Sequence, residues 1–340
     1  MEPRTAVVGP NGGRRWDQRP LIRRYPARMM QCGGGRAEGV TAMTAQPSTG
    51  SSAPGVGRAA TEPRPHILVG VDGGIGGWMA LAWARDEAIA TAGRITICHA
   101  GPPPAGGSTM DALTLADPPL ARAVHDVRQR IGGERVDLWL ADGDPAGLIA
   151  EAAETAAADL VVVGPPLHGG TRSTAARTAG TCRRPVVIVR PGQDEPRLPF
   201  AGHVVAALGG GPCDARVADF AVRYAAVHHL PVAAVHVSAE GPGDFWFDED
   251  TLETHFAVEP PQIATLARVL EPLRIRHPHV PVRLCVLAGS ASARLVVATA
   301  AARLVVVGRR HHRPLTPALG GTSGALVRNG VPPVVVVPSA

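Results

Sequence analysis

The chain has 340 residues, 45% of them hydrophobic and 19% charged, which excludes a disordered or fibrous protein and suits one large or two ordinary globular domains. Aromatics make up 4%, and Gly (40) and Pro (33) together exceed a fifth of the residues, so the core has to be built from Val, Leu and Ala, which leans toward α/β. The net charge of +5 lies in residues 1–42, where eight Arg face three acids; the other 298 residues hold 26 Arg against 26 Asp and Glu, which argues against a basic nucleic-acid or membrane surface on the body of the protein.

Taken in chain order, residues 1–64 show neither helical nor strand periodicity and are interrupted by GPNGG, CGGG and QPSTGSSAPG. Such a composition cannot bury enough apolar surface to offset ordering, so the segment is expected to be disordered. Glu38-Gly39-Val40 can be encoded as a purine-rich ribosome-binding sequence shortly before Met43. Translation from Met43 is therefore the sharper expectation and a flexible basic tail the plainer one.

The first periodic segment is HILVGVDGG (His66–Gly74), a strand and glycine turn followed by a helical pattern through Trp78–Ala84 and a second short apolar run, RITICHA, ending at Ala100. DPAGLIAEAAETAAADLVVVG (Asp144–Gly164) reads as a helix and a buried strand, and PVVIVR (Pro185–Arg190) as a last strand. Asp142, Asp144 and Glu151 fall on a turn and helix start, where carboxylates cap N–H groups, a structural rather than catalytic placement. Residues 191–201, PGQDEPRLPFA, read as a linker.

From His203 the pattern starts again at an offset of 137 residues: HVVAALGGG, a helical stretch through Val217–Tyr224, and LPVAAVHV, with His236 matching His99. SASARLVVATAAARLVVVG (Ser290–Gly308) repeats the helix-strand unit, and PPVVVVP repeats the last strand. The chain is a tandem duplication, with domains at 65–190 and 202–340. Continuous Val, Ile and Leu runs alternating with amphipathic helices mark parallel strands buried on both faces, hence two doubly wound α/β domains, each a mainly parallel five-stranded sheet flanked by helices. Ligands of such sheets bind at the carboxyl ends of the strands.

Both halves resemble the universal stress protein family in its tandem form, common in high-GC Gram-positive bacteria. The resemblance covers about residues 65–338 and rests on ILVGVDGG, ITICHA, ADLVVVG and PVVIV with their second-half counterparts. It implies an adenine nucleotide alpha hydrolase-like fold. Members that bind ATP carry an Asp in the first turn and a G-x2-G-x9-G-[S/T] loop after the fourth strand. The chemistry fits the residue types: glycines let backbone N–H groups approach phosphate, and the following helix start adds favourable partial charge.

Each half keeps a different part of this pattern. The first keeps the acidic turn Gly70, Val71, Asp72 and Gly73 and the strand end Ala100, but Gly164 is followed by Pro165 and Pro166, which remove two donors, and the loop to Gly170 and Thr171 is short. The second half has Gly209 where the acid is expected, between Ala207-Leu208 and Gly210, with Val237 at the neighbouring strand end. Its later loop, Gly308-Arg309-Arg310-His311, then nine residues, then Gly321-Thr322-Ser323, has the full length, with His311 in place of the second glycine. Arg309 and Arg310 are expected to contact phosphates. The resemblance thus implies ATP, with Mg²⁺, bound in the second half and more weakly in the first.

Five cysteines (Cys32, Cys98, Cys182, Cys213, Cys285) without CxxC spacing give neither a disulfide framework nor a zinc site. No apolar run approaches the roughly 18–20 residues that span a bilayer, and the early arginine pairs lack the apolar stretch of a secretion signal. A cytoplasmic protein with no nucleic-acid or membrane partner is expected. The pairs His228-His229 and His311-His312 point apart at adjacent helical positions and suggest no metal; His99 and His236 are expected to position a turn. Asp244–Asp250, with three aromatics among four acids, reads as a loop over the site, or else as a lid or partner-binding element.

No nucleophile, base and orienting group fall together, and GGGPCD (Gly209–Asp214) lacks the Ser-Gly-Gly-x-Asp-Ser arrangement of related ATP-dependent amidating enzymes. The expectation is a stress-response regulator without dedicated catalysis, whose hydrolysis of ATP would be weak at most. The competing expectation is a nucleotide-independent scaffold with degenerate pockets. Under either, the hydrophobic terminal strands are expected to pair within the chain, with a homodimer as a further assembly.

Overall fold

The computed structural model describes residues 64–101, 110, 113–114, 117–165, 173–193, 195–239, 244–248, 253–254, 261–309 and 319–339. The expectations for residues 1–63, for Gly170 and Thr171, and for Arg310, His311 and His312 lie outside these residues.

The first half runs β1 (His66–Gly70), α1 (Ile75–Ala90), β2 (Arg94–Ala100), α2 (Pro118–Ile131), β3 (Val136–Ala141), α3 (Pro145–Thr155), β4 (Leu160–Val163), α4 (Thr174–Thr181) and β5 (Val186–Ile188). The second runs β6 (Val204–Ala207), α5 (Asp214–His228), β7 (Val232–Ser238), β8 (Phe245–Asp248), β9 (Glu253–Thr254), α6 (Pro261–Arg276), β10 (Val282–Ala288), α7 (Ala291–Ala298), β11 (Leu304–Gly308), α8 (Gly321–Asn329) and β12 (Val334–Val337). Among the described residues these strands form one twelve-stranded sheet in the order β3-β2-β1-β4-β5-β12-β11-β6-β7-β10-β8-β9.

Pairing is parallel among β1–β5 and among β6, β7, β10, β11 and β12, antiparallel at the β8–β9 edge, and antiparallel where the repeats meet: Val334 opposes Ile188, Val335 opposes Val187 and Val336 opposes Val186. The expected pairing of the terminal strands therefore joins the halves edge to edge. These strands are runs of valine because both of their faces are covered. Val187 and Val335 face the core layer under α1, α2, α5 and α6, while Val186, Ile188, Val334 and Val336 face the layer under α3, α4, α7 and α8. Each layer runs unbroken from one repeat into the other.

Two departures from the expected layout concern connections. Phe200, near the end of the expected linker, is fully buried in the second layer, which anchors the connection to the core at that point. Residues 245–248, expected as a loop, form an antiparallel strand on the edge of β10, with Asp248 opposite Arg283 and Phe245 opposite Val286. Asp244 fixes its start: Oδ1 accepts from Ala288 N at 3.0 Å, and Oδ2 accepts from Arg294. Alternation over four residues is too short a signal to separate a strand from an aromatic loop.

The β1 entry carries a buried histidine, His66, 5% exposed. Its Nδ1–H donates to Ala156 O at 2.8 Å, and Nε2 accepts from Thr96 Oγ1 at 2.8 Å, a network complete for the neutral ring. Burial, aided by Arg94, lowers its pKa below the ordinary 6.5. The unfolded chain therefore takes up the proton first as pH falls, and the stability His66 contributes above about pH 6.5 is lost as pH drops through the lowered native value. Urea midpoints should fall further from about pH 7 to about pH 5 in the wild type than in His66→Gln. Equal falls in the two proteins would rule His66 out as an acid-sensitive site.

Candidate functional site

The carboxyl ends of the parallel strands bring together the β1–α1 turn, the end of β2, the end of β4 and the start of α4, and the matching parts of the second half. The first turns are built alike. Val71 N–H donates to Cys98 O and Leu208 N–H to Val235 O, both at 2.9 Å, and the next-but-one glycines, Gly73 and Gly210, sit at φ +74° and +77°, where side chains are strained. His99 Nδ1–H donates to Val71 O at 2.8 Å and His236 Nδ1–H to Leu208 O at 2.9 Å. Both imidazoles thus hold the turns in place. Beneath the first turn, burial pushes the Cys98 thiol up to about 12, so it carries no thiolate chemistry.

The carboxylate of the turn changes position between the repeats. In the first half Asp72 Oδ1 accepts from Gly74 N at 2.9 Å, and it lies only 2.6 Å from where a side chain at Gly77 would begin. In the second half the residue matching Gly77 is Asp214, and the residue matching Asp72 is Gly209. Asp214 Oδ1 accepts from Gly209 N at 3.1 Å and Oδ2 from Gly210 N at 2.7 Å. One acid serves each turn, delivered from opposite ends. Asp72 is exposed, whereas Asp214 is buried with both oxygens engaged by the turn itself. Asp214 is the residue that sequence reasoning missed; the exchange of Asp-Gly for Gly-Asp between aligned repeats was its signal.

Packing explains several glycines that the resemblance assigned to nucleotide. A side chain at Gly70 would begin 2.7 Å from Ile149 Cδ1, and at Gly164 2.4 Å from the Gly76 carbonyl carbon. At Gly308 it would begin 2.9 Å from Cys213 Cβ. Pro165 also lies against Gly76, so the end of β4 is closed onto the start of α1.

Arg309 has a different task from the expected phosphate contact. It is 5% exposed, and its Nη1 donates to Cys182 O at 2.8 Å and Ala179 O at 3.3 Å, the last carbonyls around α4 of the other half. Ser323 is likewise turned inward, 2% exposed, with its hydroxyl on Gly320 O at 3.3 Å. Ala207 and Ala100 close their strands, and Val237 lies opposite Leu287 near the end of β7. Asp144 caps α3 through Gly147 N at 3.0 Å and pairs with Arg177 at 2.6 and 2.7 Å; that guanidinium lowers the pKa of its carboxyl. His228 Nε2 meets Glu87 Oε2 at 2.8 Å across the seam between halves, beneath Tyr224, which also stacks on Trp83.

The helix starts after β4 and β11 differ. Ser173 caps α4, its hydroxyl accepting from Ala176 N at 3.2 Å. The start of α8 has Gly320 at the cap with no side-chain hydrogen bond, and none of the described residues lies within 4 Å of where a side chain at Gly321 would begin. Neither packing nor a positive φ requires glycine at 321. Thr322, half-buried, follows it. The arrangement offers helix-start N–H donors beside open space, which suits an anion.

The Universal stress protein family matches residues 63–190 and again 201–338. The chain is 26% identical over 314 residues to the universal stress protein Rv2005c of Mycobacterium tuberculosis, covering 81% of this chain and 98% of that one. The universal stress protein Mb2028c of Mycobacterium bovis matches to the same extent. A universal stress protein structure from Archaeoglobus fulgidus shares the fold, with a TM-score of 0.56 at 15% identity over 81% of this chain and 96% of its own. Among the described residues no helix is long and apolar enough to cross a membrane. With the family matched in both halves, over most of its length, the chain belongs to the universal stress protein family as a tandem pair of its domains.

Proposed function

We propose that this tandem universal stress protein binds an adenine nucleotide, ATP with Mg²⁺, in its second half, and that it acts in the stress response through occupancy of that site, without dedicated catalysis. The observation that carries the reading is the start of α8, which among the described residues has no side-chain cap and nothing packed over Gly321. Backbone donors there would hold the phosphates, Thr322 would add a hydroxyl, and the β6–α5 turn, closed from beneath by Asp214, would face the uncharged end of the ligand. The first half is the weaker site: Pro165 packs over Gly76, and Ser173 already caps α4. Hydrolysis would need a base for water, and the task the hydrogen bonds give His99 and His236 is to hold the turns through Nδ1.

The test is to release and identify small molecules from the purified protein and then titrate it with ATP and Mg²⁺ by calorimetry. Gly321→Val and Thr322→Ala should each weaken binding by about tenfold, and by more than Gly170→Val or Thr171→Ala. The reverse order would move the site to the first half. No bound nucleotide and no heat would leave the scaffold reading, which the closed β4 end favours. A cytoplasmic homodimer remains part of the proposal, and it has to use a surface other than β5 and β12, which pair with each other.

A further inference from the structure

Two arginines cross the seam in opposite directions. Arg190, two residues beyond β5 of the first half, donates from Nη1 to Leu326 O at 2.9 Å and Gly330 O at 2.7 Å, and from Nη2 to Val327 O, the last carbonyls of α8 in the second half. Arg309, directly after β11 of the second half, does the same for α4 of the first. Neither guanidinium is in an ion pair with a carboxylate among the described residues; the acceptors are helix C-terminal carbonyls, where a cation is favoured. A side chain at Gly330 would begin 3.1 Å from Arg190 Nη1, so the helix stop also leaves room for the incoming arginine.

The helices these arginines hold are the ones that follow the two glycine loops. They are short, eight residues in α4 and nine in α8, lengths at which a helix depends on its surroundings to form. The arginines do not occupy matching places in the repeat, so the crossing is not simply inherited from the duplication. We propose that each half positions the other's loop helix: Arg190 holds α8 so that its start can receive phosphate, and Arg309 holds α4. The binding part of this rests on the nucleotide reading above; the crossing of support between halves does not. A single half lacks the arginine that its own loop helix needs, which gives the tandem arrangement a physical reason.

The experiment measures amide hydrogen exchange and Mg-ATP titration on the full chain. In Arg190→Met, exchange in Gly321–Asn329 should speed up by about tenfold while Thr174–Thr181 changes by less than about twofold; Arg309→Met should give the opposite pattern. Arg190→Met should also weaken Mg-ATP by about tenfold although it lies in the first half. Should Arg190→Met not fold, Arg190→Lys, which keeps the charge but loses the forked donors, decides by the same local exchange, with an intermediate rise in α8 expected. Equal loosening of both helices, or no change in α8, would overturn the proposal. If the wild type takes up no ATP, the nucleotide reading fails, and the crossed exchange pattern still decides this one. If the pattern is crossed but ATP affinity is unchanged in Arg190→Met, the positioning role is refuted and only a structural cap remains.

Discussion

Gly164→Ala should destabilise the protein by about 3 kcal/mol, the upper part of the range for forcing extra volume into a packed site. The new methyl would meet Gly76 backbone at 2.4, 2.5 and 2.8 Å, and backbone cannot swing aside as a side-chain tip can. Either the end of β4 or the start of α1 has to move, and the first turn sits between them. Restricting the unfolded chain returns only about 0.4–1 kcal/mol. Gly308→Ala should cost somewhat less, because its one close contact, Cys213 Cβ at 2.9 Å, is longer, though a Cβ moves only with its own backbone. Gly321→Ala, with none of the described residues within 4 Å, should leave stability within about 0.5 kcal/mol. Urea midpoints of the three variants give the order directly. A Gly164→Ala protein as stable as Gly321→Ala would show that packing is not why glycine stands at 164, and would reopen that position as part of a ligand site.

That contrast also shows what the sequence could and could not reveal. The duplication, the parallel doubly wound character of each half and the terminal pairing were legible because strands buried on both faces read as unbroken Val, Ile and Leu runs that recur at one offset. His99 and His236 were legible as turn supports because they recur at matching strand ends. Arg309 was not: its position after Gly308 suits a phosphate contact, and only the β5–β12 ladder brings α4 close enough to take its guanidinium. Glycines posed the same difficulty, since a loop cradling phosphate and a strand end pressed against a helix both call for a missing side chain. The space around each glycine separates the two, Gly164 crowded and Gly321 open, and space is a property of the fold. The Phe245–Asp248 strand was hidden for a third reason, its pairing with β10 being a tertiary choice that four residues do not announce.

Asp214→Ala should cost about 2 kcal/mol. It removes the acceptor of two backbone N–H groups, those of Gly209 and Gly210, in a turn where Asp214 itself is 9% exposed. Gly209 and Gly210 are exposed, so water takes over their N–H groups and the loss is the net worth of the hydrogen bonds, about 0.5–1.5 kcal/mol for a typical one, while loss of an acid from the first turn of α5 adds about 0.3–1 kcal/mol. The repeat supplies a sharper test, because the first half shows that the same turn also closes with the acid at the other end. Gly209→Asp alone would crowd two carboxylates into one turn and destabilise it, though Gly209 lies outside the left-handed region and its backbone accepts a side chain. Combined with Asp214→Gly, it rebuilds the Asp72 and Gly77 arrangement, and most of the loss should return. The coupling between the two changes should reach about 2 kcal/mol in favour of the double variant, well beyond the few tenths seen between independent sites. Additive losses would mean that the turns of the two halves do not share one carboxylate position, and that the acid in each serves a separate purpose. Restored stability together with a more exposed acid, as at Asp72, would show by Mg-ATP titration whether the second half gains or loses affinity when its carboxylate is freed from the turn.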